Sequence, residues 1–253
     1  MNLTAIYTLF YKEVLRFAKV MLQTLIAPII TALLYLLVFG HVLEGRVEMF
    51  PDVSYTAFLV PGLVMMSVIQ NAFANSSSSL IQSKVTGSLI FILLTPLSYF
   101  GFFIAFTLAA AVRGMLVGIG VYLAAVFLAP VPVHHIGFIL LFTFLSSSAL
   151  GALGMIAGIW AEKFDQLAGF QNFIILPLSF LSGVFYSIHS LPVFWQKLSQ
   201  FNPFFYMIDG FRYGFFGVSD INPLVSLAVV GVFLIVLSTA TLLLLKTGYK
   251  LRD

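Results

Sequence analysis

Long apolar runs separated by short polar breaks dominate this sequence. Six of them carry at most one charge and are long enough to cross a membrane, which takes about 20 residues because the hydrocarbon core is about 30 Å thick. The predicted spans are residues 21–40, 57–77, 102–128, 137–160, 168–186 and 224–245. An even number of spans places both termini on the same side, which we assign to the cytoplasm.

Residues 2–20 show a different pattern, with apolar positions at helical spacing opposite Thr8, Lys12, Arg16 and Lys19. A charged amphipathic helix of this kind lies in the membrane interface and does not cross it. Its cationic stripe suits either anionic lipid headgroups or a cytoplasmic protein partner. The sequence leaves these two partners open.

Residues 190–217 are too apolar for a solvated loop and too interrupted for a span, because prolines and charges break every window. We predict a re-entrant hairpin of two short helices, the first capped by Ser190 and the second beginning at Asn202-Pro203. Non-helical backbone at membrane depth requires cover by protein or by a water-filled cavity. The alternative is an interfacial loop held by its aromatic side chains. Asp209 and Arg212 share a helix face, where an ion pair would lower the cost of burial.

Residues 80–98 join the second and third spans and are also apolar, but Lys84, Gly87 and Pro96 prevent a continuous span. We predict a short helix at the cytoplasmic surface. A helix in this position can pass force from a soluble partner to the spans.

Polar residues inside the predicted spans must face protein or water. Ser67, Asn71, Asn75 and Ser78 recur every three or four residues and so share one helix face, which suits either a transport pathway or hydrogen bonds between helices. Arg113 lies deep in the third span, and its role is open between function and structure. Pro28 and Pro177 should kink or open their helices.

Small residues at four-residue spacing favour close helix packing in the third and fourth spans. The third span carries such a pair, and the fourth span carries a longer series; these residues are Gly114, Gly118, Ser147, Gly151, Gly154 and Gly158.

The composition indicates an all-α integral membrane protein with one domain, because 61% of the 253 residues are hydrophobic and only 8% are charged, against roughly 25% charged in soluble domains. With so few charged residues, we expect no basic surface that binds nucleic acid. The basic residues satisfy the positive-inside rule: Lys12, Arg16, Lys19, Lys84, Lys163, Lys246, Lys250 and Arg252 fall inside, against Arg46, Lys197 and Arg212 outside. Glu44, Glu48 and Asp52 make the first outer loop acidic.

Motifs and residue types that the sequence lacks argue against several classes of function. The sequence has no G-x-x-x-x-G-K-[ST] phosphate loop, so the chain has no recognisable means of binding ATP. It has no cysteine, and we expect neither a metal site nor catalytic residues. No carboxylate falls inside the six predicted spans, which argues against a carrier driven by an ion gradient. The hairpin argues against a membrane scaffold without transport activity.

Several short motifs together resemble the type-2 ABC exporter permease family. They are LTPLS (94–98), SGVFYS (182–187), LP (191–192), NP (202–203) and DGFRYG (209–214). In addition, VPGLVMMSVI (60–69) is similar to a branch of this family found in the bacterial inner membrane. The resemblance covers the whole chain. It implies a permease that dimerises in the lipid bilayer, pairs with two separate ATP-binding subunits that use ATP and Mg, and exports substrate between its two copies.

The resemblance also assigns candidate residues. It implies ATPase coupling by Lys12, Arg16, Lys19, Lys84, Thr95 and Pro96. It implies a translocation path along Ser67, Asn71, Asn75, Ser78, Pro177 and Tyr186, and an outer gate at Asn202, Pro203, Tyr206, Asp209 and Arg212. The chain departs from the family at one point, since Ile90 and Phe91 stand where a glutamate is usual before the LTPLS motif.

Overall fold

The computed structural model describes residues 2–43, 45, 49–50 and 53–250, and helices dominate this part of the chain. Glu44, Arg46, Glu48, Asp52 and Arg252, whose charges enter the prediction of topology, lie outside the described residues. The helices are α1 (Leu3–Ala18), α2 (Met21–Leu43), α3 (Tyr55–Val85), α4 (Leu89–Leu93), α5 (Tyr99–Ala125), α6 (Ile136–Trp160), α7 (residues 164–180), α8 (Val193–Gln200), α9 (Pro203–Phe216) and α10 (Pro223–Thr247).

Among the described residues, five helices are long and apolar enough to cross a membrane: α2, α3, α5, α6 and α10. The fold is therefore all-helical, as predicted, and its membrane-crossing character follows from these five. Each begins and ends within three residues of a predicted span, except α3, which ends eight residues later than predicted. A side-chain cap fixes several starts; for example, Ser98 accepts a hydrogen bond from the Gly101 amide and starts α5 at Tyr99.

The fifth predicted span, residues 168–186, differs in the structure. Helix α7 consists of Phe164–Phe170, a π-helical turn at Gln171–Ile175 and Leu176–Phe180. It therefore begins before residue 168, the predicted start of the span, and ends six residues before residue 186, the predicted end. The π turn directly precedes Pro177, where the sequence predicts a locally opened helix. Beyond Phe180 the chain turns, with Gly183 at a φ of +76° that other residues rarely adopt.

The predicted surface helix at residues 80–98 is also corrected. Residues 80–85 continue α3, because neither proline nor glycine occurs between Leu80 and Gly87, and Gly87 follows the helix end at a φ of +69°. Only Leu89–Leu93 form a separate short helix, α4. The second predicted span is therefore the start of a 31-residue helix, about 46 Å long at 1.5 Å per residue.

Helix α3 is the centre of the bundle and packs against α5 and α6 at the small residues predicted for this purpose. A Cβ atom on Gly154 of α6 would lie 2.4 Å from the carbonyl oxygen of Phe73, and one on Gly118 of α5 would lie 2.7 Å from Cγ2 of Val68. The helix backbones can approach this closely because glycine has no side chain. The prediction of close packing is confirmed.

The hairpin consists of a 3₁₀ turn at Ile188–Ser190 followed by α8 and α9. Pro192 and not Ser190 occupies the N-cap of α8, which corrects the predicted cap. Asn202 caps α9 by accepting a hydrogen bond from the Phe204 amide at 3.0 Å, so the break between the two helices falls where the sequence predicts it. Helix α9 is buried against the bundle, whereas α8 exposes Phe194 and Trp195.

Candidate functional site

A cavity of about 220 Å³ lies between α2 and α3, and we call it the α2–α3 cavity. It is lined by Ser67 and Asn71, two of the four residues on the polar face of α3, which are Ser67, Asn71, Asn75 and Ser78. The other lining residues are Ala27, Pro28, Thr31, Ala32, Tyr35, Leu63, Met66 and Gln70. Its described lining is uncharged but carries hydroxyl and amide groups. Such a lining can hold the uncharged polar part of an amphipathic molecule.

Aromatic side chains close this region toward the hairpin. Tyr35 packs edge-on against Phe185 with ring centroids 5.5 Å apart, and Phe180 stacks on Phe185 at 5.7 Å. The path candidate Tyr186 is partly buried next to this cluster, and its hydroxyl has no hydrogen-bond partner. Pro177, the other candidate from this segment, is exposed on the surface of α7. The structure therefore does not bring all path candidates to one cavity.

Arg113 finds its polar neighbour on another helix. Its Nη2 donates to Asn71 Oδ1 at 3.2 Å, while its Nε is buried without a partner. Arg113 is 14 residues from the start of α5, or about 21 Å along the helix. Because Asn71 also lines the α2–α3 cavity, one amide connects the intramembrane charge to the candidate pathway.

Asn75 and Ser78, the other two residues on the polar face of α3, lie against α1. Arg16 donates from Nη1 to Ser78 Oγ at 3.2 Å and from Nη2 to the carbonyl oxygen of Asn75 at 2.6 Å. The predicted cationic stripe is thus corrected at Arg16, whose guanidinium contacts this chain. Asn75 and Ser78, predicted to line a pathway, serve as its acceptors.

Glu13 is a polar residue of this region that sequence reasoning missed. Its carboxylate is fully buried and accepts from Lys12 Nζ at 2.8 Å, Arg16 Nε at 3.2 Å and Ser79 Oγ at 2.8 Å. A buried charge survives only with such partners. The signal was available, because Glu13 lies at helical spacing with Leu9 and Phe17 on the buried face of α1.

A second groove lies between α1 and the α4 segment, and we call it the α1–α4 groove. Its volume is about 440 Å³, and it brings together three coupling candidates, Lys12, Thr95 and Pro96. Phe91 lines it and is 72% exposed. A groove with an exposed aromatic rim suits a protein partner.

The remaining coupling candidates lie elsewhere. Lys19 is exposed. Lys84 donates to the carbonyl oxygens of Ile159 and Ala161 at the end of α6. Lys250 reaches the same helix end and pairs with Glu162 at 2.6 Å, and this hydrogen bond lowers the pKa of the Glu162 carboxyl. The lysines satisfy carbonyl groups that every helix end leaves without a helical partner.

The predicted ion pair in the hairpin is wrong. Arg212 is fully buried, donates to the carbonyl oxygen of Gly183 at 2.8 Å and lies over the Phe58 ring at 3.8 Å. Asp209 instead accepts from the Asp220 amide at 2.7 Å and the Ile221 amide at 3.2 Å. Although Asp209 and Arg212 share one helix face, each therefore binds a different segment of the chain.

The gate candidates of the hairpin thus form two contacts with the preceding segment and one internal contact. Asn202 Nδ2 donates to the carbonyl oxygen of Leu178 in α7 at 2.7 Å, and Arg212 reaches Gly183. Tyr206 donates to the carbonyl oxygen of Gln200 at 2.9 Å, across the turn marked by Pro203. Asp220, which the sequence did not single out, accepts from the Ser187 hydroxyl and the Ile188 amide. These contacts tie the hairpin to the end of α7.

The described residues form a helical bundle with five membrane-length helices and a polar face inside it, an architecture that membrane transport proteins use. The chain belongs to the ABC-2 type transporter family, whose model matches residues 4–216. It is 37% identical to the inner membrane transport permease YadH of Escherichia coli strain K12, over 98% of this chain and 97% of that protein.

Two further relatives are more distant. Nodulation protein J of Rhizobium leguminosarum bv. viciae is 26% identical, over 91% of each chain. The capsule polysaccharide export inner-membrane protein BexB of Haemophilus influenzae is 32% identical, over 44% of this chain and 40% of that protein.

Proposed function

We propose that this permease exports its substrate across the bacterial inner membrane as a homodimer, driven by two copies of a separate ATP-binding subunit that uses ATP and Mg. Membership of the ABC-2 type family supports the need for an ATPase partner. The observation that carries the proposal is the α1–α4 groove, where three of the predicted coupling residues meet beside an exposed phenylalanine.

The proposed topology has six membrane-crossing segments and both termini in the cytoplasm. Helix α7 supplies the one segment needed in addition to the five long helices. Its 17 residues, from 164 to 180, extend about 25 Å, which is somewhat less than the hydrocarbon thickness. The turn and the aromatic cluster that follow it complete the crossing. Lys84 and Lys250 lie at the same end of α6, which agrees with a cytoplasmic end rich in basic residues.

The proposed pathway runs along α2, the polar face of α3 and α7. The α2–α3 cavity supplies its uncharged polar lining, and the hairpin with its aromatic cluster closes the outer end. A second copy would cover the lipid-facing sides of α2 and α7, where Leu22, Leu37 and Phe173 are 76%, 64% and 83% exposed. An amphipathic substrate matches this mixture of apolar and hydroxyl-bearing surface.

The experiment is co-purification of the permease with a candidate ATP-binding subunit produced in the same cells. Two permeases and two ATPases should elute together, and the permease alone should hydrolyse no ATP. Phe91→Ala should weaken ATPase retention, because it removes the exposed aromatic rim of the α1–α4 groove. Phe194→Ala is the matched control, since Phe194 is exposed to nearly the same extent on α8 but does not line that groove.

Other outcomes identify the alternatives. ATP hydrolysis by the highly purified permease alone would refute the division of labour between subunits. Transport that persists without the ATPase and collapses with the ion gradient would show a carrier. A complex that retains the ATPase with Phe91→Ala and loses it with Phe194→Ala would refute the α1–α4 groove as the docking surface.

A further inference from the structure

Glu13 and Arg16 connect the surface helix α1 to the inside of the bundle. Glu13 is fully buried on a helix whose opposite face exposes Leu3 and Tyr7. One donor to its carboxylate comes from α3, the Ser79 hydroxyl at 2.8 Å. The same carboxylate orients Arg16 through its Nε at 3.2 Å.

The guanidinium of Arg16 fits its site as a planar fork. Its three nitrogen atoms reach different acceptors: Nε bonds Glu13, Nη1 bonds Ser78, and Nη2 bonds both the carbonyl and the side-chain oxygen of Asn75. A lysine ammonium carries the same charge but is a single point at the end of a flexible stem. It cannot span these acceptors at once.

The face of α3 that receives Arg16 continues into the transport region. Asn71 is one helical turn from Asn75, lines the α2–α3 cavity and accepts from Arg113. At the other end of the network, Lys12 donates to Glu13 and also lines the α1–α4 groove. Polar contacts therefore run from the groove proposed for the ATPase to Asn75 and Ser78, and the backbone of α3 connects Asn75 to Asn71 at the cavity proposed for the substrate.

We propose that Glu13 and Arg16 are positioning residues that transmit a displacement of α1 to the polar face of α3. A shift of α1 must either carry Asn75 and Ser78 along or leave a buried carboxylate and guanidinium without partners, and the second outcome is strongly unfavourable. This inference rests on the proposed function, because the displacement comes from an ATPase bound at the α1–α4 groove.

The test uses the complete permease–ATPase complex and needs no knowledge of the substrate. Because the chain has no cysteine, Thr31→Cys places a single thiol in the α2–α3 cavity. The rate of its reaction with a maleimide is measured without nucleotide and after trapping with ATP and vanadate. In the parent complex we expect trapping to change the rate severalfold.

In that background, Glu13→Gln and Arg16→Lys should abolish the change in labelling while the ATPase stays bound and its KM for ATP stays unaltered. Tyr11→Phe is the control, because Tyr11 is exposed on the same helix but lines neither the α1–α4 groove nor the Glu13 and Arg16 contacts, and it should behave as the parent. Ser79→Ala, which removes only one hydroxyl donor to Glu13, should reduce the change in part.

Two results would overturn the inference. One is a full change in labelling in both Glu13→Gln and Arg16→Lys. The other is loss of the ATPase from all three network variants, including Ser79→Ala, since the residues would then serve assembly alone. A parent complex that binds no ATPase would instead refute the proposed function, and the inference with it.

Discussion

Replacing Gly154 with alanine should destabilise the bundle, because this glycine is where α3 and α6 approach most closely by backbone. A Cβ atom at Gly154 would lie 2.4 Å from the carbonyl oxygen of Phe73 and 3.2 Å from its carbonyl carbon. Ordinary contact begins near 3.4 Å, so the helices must separate by about 1 Å. Main-chain atoms cannot turn aside as a flexible side chain could.

Two opposing terms set the size of the effect. Overpacking of this kind costs about 1–3 kcal/mol, whereas alanine is favoured over glycine inside a helix by about 1 kcal/mol. Gly231→Ala isolates the second term, since Gly231 lies within α10 and a Cβ there meets nothing within 4 Å. Gly154→Ala should therefore be less stable than Gly231→Ala by about 1–3 kcal/mol, roughly a five- to hundredfold difference in the folded-to-unfolded ratio.

The assay is reversible unfolding in mixed micelles with increasing denaturing detergent, followed by tryptophan fluorescence and circular dichroism. Gly231→Ala should equal or exceed the parent protein, and Gly154→Ala should unfold at lower detergent fraction. Equal stability of the two variants would refute the reasoning. It would mean that α3 and α6 can separate at this point without losing contacts elsewhere.

Three further predictions concern charges and topology. Arg113→Leu should lower the ATPase activity of the complex that depends on transport, at unchanged expression, whereas Arg113→Lys should retain part of it; equal activity of Arg113→Leu and parent would make the charge dispensable. Single cysteines at Ser190 and Val218 should react with an impermeant thiol reagent from outside, and cysteines at apolar positions of α9 should be protected; uniform labelling would show a solvated loop instead. The Lys250–Glu162 pair should contribute stability above the unfolded-state pKa of glutamate, about 4.3, and lose it as the pH falls through the lowered pKa of the folded state; melting temperatures of Glu162→Gln and parent should differ at neutral pH and converge near pH 3.

The hydrophobic pattern predicted most of the helices because each one satisfies its own backbone hydrogen bonds and needs mainly length and apolarity to be recognised. Residues 168–186 and 80–98 were the exceptions. In both, the limits of the helix depend on local backbone geometry, such as the π turn before Pro177 and the left-handed Gly87. The sequence shows the proline and the glycine, but not how far the helix continues on either side.

Partners of the polar residues could not be read from spacing. Asp209 and Arg212 are correctly placed on one helix face, yet Arg212 turns to Gly183 and Phe58 while Asp209 holds the Asp220 and Ile221 amides. A short separation along a helix allows an ion pair, but buried groups go to whichever donors and acceptors the surrounding segments bring near.

The sequence by itself determined that this chain is a helical membrane protein and that it carries no phosphate-loop motif, because composition, span length and motifs are properties of the linear chain. Only the tertiary structure decided what its charges do. The sequence pattern places Arg16 in a cationic stripe and does not single out Glu13, but once α1 packs on α3, Asn75, Ser78 and Ser79 supply partners for both. Those partners lie about 60 residues away in sequence, and since burying a charge is tolerable only when it is paired, the folded contacts set the role of each one.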